Sequence, residues 1–92
     1  MDKLAKLALM DKVSRELEDL EHSQTAVLKK VAQIEADNIN LGVALLDTRL
    51  TELYEKVDAG VSVVAALREE FTAHRNKFYN DNDLGSLQDP TA

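Results

Sequence analysis

Apolar residues recur along this chain at alternating steps of three and four, and the alternation changes register once. From Met10 the steps reach Val13, Leu17, Leu20, Gln24, Val27, Val31, Ile34, Asn38, Leu41 and Leu45, with polar side chains at Gln24 and Asn38 alone. A second series runs through Leu46, Leu50, Leu53, Val57, Gly60, Val64, Leu67, Phe71, His74 and Phe78. Positions three and four apart share a helix face, so each series lays an apolar seam along one helix, as in a heptad repeat. The first series projects forward to Thr48, whereas the second begins at Leu46 and Leu50. One straight helix cannot carry both seams without overwinding or skipping locally.

The change of register falls on ADNINLG, residues 36–42. Asp37, Asn38, Asn40 and Gly42 are residue types that cap helices, form turns or tolerate left-handed backbone. Two signals thus place a reversal at 38–42, between a helix over about 3–37 and a second over about 43–79. At 1.5 Å per residue each would span about 50 Å, which suits an antiparallel hairpin. Two other arrangements stay open: one uninterrupted helix, and a three-helix form with breaks at Glu21-His22-Ser23 and Asp58-Ala59-Gly60-Val61-Ser62. A hairpin offers another reading of Gly60, which would then lie across from residues 20–24 and permit close helix approach beside Leu20 and Gln24. Gln24 itself is a buried-amide position that can set register.

Two helices alone give one narrow seam and no third wall, and a scaffold of 92 residues usually needs a staple or association. There is no cysteine, so neither a disulfide nor a thiolate metal site can serve. The expected architecture is therefore all-α: a long, coiled-coil-like antiparallel hairpin over residues 1–80 that completes a four-helix bundle by dimerisation. From Asn80 the composition changes, with Gly85 and Pro90 as helix stoppers, and 81–92 reads as a flexible acidic tail.

Chemistry-bearing motifs are few. His22 and His74 each follow a glutamate by four positions, but a reversal near residue 40 puts one opposite residue 60 and the other opposite residue 8. Di-metal bundles use Glu and His three apart, with further carboxylates facing inward. The serines have no base at a triad spacing, and no phosphate loop, EF-hand loop or HExxH run is present. A general acid needs a pocket to raise its pKa, and a hairpin has few places to build one. Neither enzyme activity, nor a cofactor, nor a metal, nor a small-molecule substrate is expected.

The formal charge is −6, from 17 acidic and 11 basic residues, and no face is basic enough to neutralise a run of phosphates. Direct nucleic-acid binding is disfavoured for that reason. No run approaches the roughly 20 apolar residues of a membrane span, and acids beside the short patch at Leu4, Leu7 and Ala8 argue against lipid contact. The opening MDKLAKLALM lacks the pattern of a secretory signal, and a cytoplasmic location is the expectation.

The run VSVVAA, Val61–Ala66, covers more than one seam, although a surface helix needs only one buried stripe. A second apolar surface there points to a partner: another copy of the chain, another protein, or both. The expected interface comprises Leu17, Leu20, Gln24, Val27 and Val31 on the first helix. On the second it comprises Leu53, Val57, Gly60, Val61, Val64, Leu67 and Phe71. The expected function is a non-enzymatic helical protein–protein interaction module acting as regulator, adaptor or assembly factor. Two alternatives are a structural homo-oligomer and an acidic inhibitor that occupies a nucleic-acid-binding surface, the latter on the charge of Glu35, Asp37, Asp47, Glu52, Glu55 and Asp58.

Overall fold

Helix-favouring composition without an internal proline lets both halves of the chain run as single long helices. The computed structural model describes residues 1–88: α1 (Lys3–Leu41), α2 (Ala44–Asp81) and α3 (Leu84–Gln88), with no strand among these residues. The two long helices pack antiparallel into a hairpin measuring 66 × 21 × 18 Å. Its radius of gyration, 20.2 Å, compares with about 12 Å for a compact domain of this length. Neither suspected break interrupts a helix, since 21–23 lie within α1 and 58–62 within α2. The single rod and the three-long-helix form are both replaced by the hairpin.

The reversal is tighter and later than the expected 38–42. Asp37 to Leu41 stay helical, and the chain turns at Gly42, whose left-handed backbone (φ 70°) ends α1 while its N–H donates to Asn38 O at 2.7 Å. A residue without Cβ adopts that conformation at no steric cost. Val43, at the cap position just before α2, has no side chain able to cap it. Asn38 supplies the cap from the preceding helix. Its Oδ1 accepts from Val43 N–H at 2.9 Å, and its Nδ2 donates to Val43 O at 3.0 Å and to Asp47 Oδ1 at 2.8 Å. Asn38 is 3% exposed, so seam amide and turn residue are one role here. At the far end, Asp2 caps α1 by accepting from Ala5 N–H at 2.7 Å.

The expected tail differs over its first eight residues. After Asp81 the chain makes a turn, with Asn82 Nδ2 donating to Phe78 O at 2.9 Å, and α3 folds back against both long helices. Among the described residues, Leu84 on α3 and Leu7 on α1 are the large side chains wholly shielded from solvent. α3 thus closes the open end of the hairpin, where α1 begins and α2 finishes. The rest of the expected tail, 89–92, lies outside the described residues.

Candidate interaction face

The hairpin seam is displaced by one row from the expected line. On α1, the enclosed run is Leu7, Met10, Ser14, Leu17, Glu21, Gln24, Leu28, Val31, Glu35 and Asn38. It shares Met10, Leu17, Gln24, Val31 and Asn38 with the expected series. Ser14, Glu21, Leu28 and Glu35 take the places foreseen for Val13, Leu20, Val27 and Ile34. On α2, the enclosed run is Leu50, Val57, Val61, Val64, Arg68, Phe71, Arg75 and Phe78.

Ion pairs across the hairpin explain which way the seam leans. Arg68 donates to Glu21 Oε2 at 2.8 Å and reaches Glu18 Oε2 at 3.5 Å. Its hydrogen bond to Glu21 lifts the guanidinium further above its ordinary pKa, with partial desolvation opposing and Glu18 assisting. Arg75 donates to both carboxylate oxygens of Asp11, at 2.8 and 3.4 Å, and stacks over the Tyr79 ring at 4.9 Å. These groups draw together one side of the hairpin, the ion-paired side.

The opposite side stays open, and it carries the more apolar row. On α1 that row is Val13, Leu20, Val27, Ile34 and Leu41, one residue every seven. All but Val13 are exposed, Val27 to 51% and Leu41 to 66%. On α2 the matching row is Leu46, Leu53, Gly60, Leu67 and His74, with Val63 beside it at 66% exposed. In an antiparallel pair these two rows fall on the same side of the seam. At mid-length they border a shallow hollow of about 310 Å³ lined by Gln24, Val27, Lys56, Val57 and Gly60. Gly60 creates it: a Cβ there would stand 3.3 Å from Gln24 Oε1, an atom that is itself buried without a hydrogen-bond partner.

The expected interface residues therefore divide into three groups. Leu20, Val27, Leu53, Gly60 and Leu67 share the open side. Leu17, Gln24, Val31, Val57, Val64 and Phe71 lie along the middle of the hairpin, where Val31 and Val64 are buried by the chain itself and offer nothing to a partner. Val61 belongs to the ion-paired side. The run VSVVAA is accordingly no single face, because Val61 and Ala65 turn one way, Val64 turns inward and Val63 points outward. Ile34, Leu41, Leu46 and Val63 join the open side without having been singled out, although three of them stand in the two apolar series.

Both histidines are exposed, with the His74 ring centroid 6.3 Å from that of Phe71. Among the described residues no group of three or more His, Asp or Glu side chains converges as a metal site would require, and no helix is long and apolar enough to cross a membrane. The chain matches no protein-family model, and no curated protein or solved structure shows significant similarity to it.

Proposed function

We propose that this chain is a helical protein–protein interaction module that works by burying the open side of its hairpin. One observation carries the reading. The row Val13, Leu20, Val27, Ile34 and Leu41 is uniformly apolar yet lies outside the hairpin's own seam, while a row containing Ser14, Glu21 and Glu35 lies inside it. A monomeric fold that answered only to its own burial would favour the reverse, since each aliphatic side chain moved from water is worth about 1.5–3 kcal/mol. Contiguous exposed apolar surface of this kind marks an interaction site. The ion-paired side, where Arg68 and Arg75 meet carboxylates of α1, acts as the solvated back of the module.

The test compares capture by the wild-type chain with capture by Val27→Asp/Leu67→Asp on the open side and by Thr72→Lys on the other. The expected result is that the open-side variant loses the proteins retained by the wild type, additional copies of the chain included, while Thr72→Lys keeps them. Equal capture by all three would overturn the reading. A second reading, acidic mimicry of a nucleic acid, would instead show binding abolished by salt.

A further inference from the structure

We infer that the occupant of the open side is a second copy of the chain, related by a two-fold axis that crosses the hairpin at right angles to its helices. This deepens the proposed function by naming the partner, and it rests on that reading. Four residues of each apolar row are symmetric about one height. On α1 Val13, Leu20, Val27 and Ile34 centre between Leu20 and Val27, and on α2 Leu53, Gly60, Leu67 and His74 centre between Gly60 and Leu67, while Leu41 and Leu46 extend beyond them toward the turn. Those two centres lie side by side, because Gly60 stands against Gln24 and Arg68 reaches Glu21.

A two-fold at that height lays α1 antiparallel across α1 and α2 antiparallel across α2, as in a four-helix bundle. Leu20 of one copy then meets Val27 of the other, and Val13 meets Ile34. Leu67 of each copy arrives over Gly60 of the other, at the hollow of about 310 Å³, which has room for a leucine side chain. Val63 lies beside the axis and meets itself.

The charges bordering the open side fit this rotation and oppose the obvious alternative. Glu16 falls opposite Lys30 of the other copy, and Lys56 opposite Glu70. A two-fold running along the hairpin would instead bring Glu16 to Glu70 and Lys30 to Lys56, both like-signed. One like-signed meeting remains, Arg49 with Lys77 near the ends. Glu16, Lys56, Arg49 and Lys77 each also have a partner within the chain, Lys12, Glu52, Glu52 and Asp81 respectively, so these charges choose between the two rotations more than they add affinity.

The chain has no cysteine, so single introduced thiols report position cleanly. Val63→Cys treated with a short bismaleimide is expected to give a covalent dimer, and Thr72→Cys on the ion-paired side to remain a single chain. Light scattering of the untreated wild type should give twice 10.2 kDa. Glu16→Lys should weaken association by roughly three- to tenfold, with Glu16→Lys/Lys30→Glu restoring it. A dimer that couples through residue 72 and not 63, or that ignores the charge exchange, overturns the proposed two-fold. A helical monomer whose capture of other proteins still depends on Val27 and Leu67 overturns the second copy and leaves the interaction reading standing. A helical monomer with no such dependence overturns both.

Discussion

The two sides of the hairpin solve the same burial problem in opposite ways. On one, carboxylates and guanidinium groups meet across the seam, with Arg68 on Glu21 and Arg75 on Asp11. On the other, leucines and valines line both helices and meet solvent. Ion pairs this exposed add little stability, whereas apolar surface is worth more but needs a cover. The charged side thus pairs within the chain, and the apolar side is left with surface that association can cover.

The sharpest way to break that contrast is to place charge on the open side. Val27→Asp with Leu67→Asp should weaken association by about 100-fold or more, since two desolvated aliphatic contacts at about 1.5 kcal/mol each are lost. Sedimentation velocity over a dilution series checks it. Next in size comes the hinge on which both sides depend. Asn38→Ala removes three hydrogen bonds and strands Val43 N–H, and should cost about 2–3 kcal/mol, a fall in Tm on the order of 10 °C for a domain of this length, read by circular dichroism.

Charge removal on the ion-paired side should do much less. Arg68→Ala is expected to lower the Tm by no more than a few degrees and to leave association intact. At 1 M salt, where screening acts over about 3 Å, the wild type should resemble that variant. Smaller still is Gly60→Ala. Helix propensity gains up to about 1 kcal/mol, but the new Cβ presses on Gln24 Oε1, so the Tm should stay within a few degrees. The smallest effect concerns Lys77, whose pKa is raised from 10.5 by its hydrogen bond to Asp81. A raised pKa stabilises the fold below the unfolded value, so that slight contribution should persist to about pH 10.5 and fade above it.

Much of this architecture was legible in the sequence, and the limits have physical causes. The register change and Gly42 together locate the reversal, because one reflects burial and the other backbone conformation. The end of α1 was set four residues early. Asp37 and Asn40 have turn-forming side chains, but nothing forces them out of a helix, whereas Gly42 alone takes the left-handed conformation. The row that closes could not be read from spacing. Around the central line of α1 the sequence carries an apolar row on one flank and a mixed row on the other, and the flank that closes is the one where Glu21 meets Arg68 and Asp11 meets Arg75, partners 47 and 64 residues apart. Leu84 and Leu87 stand out in the tail as a candidate docking peptide, but the burial of Leu84 against its own chain is not legible, for a related reason. Its neighbours Asp83, Gly85 and Ser86 read as loop, and its burial comes from the hairpin end on which α3 folds.

The most direct measurement is the melting temperature of the wild-type chain, followed by helicity, across a hundredfold range of concentration. If the open side closes on another copy, the Tm rises with concentration, because binding to the folded state stabilises it by mass action. A fully helical chain whose Tm does not move across that range would show that the hairpin stands alone and that its apolar side needs no second copy.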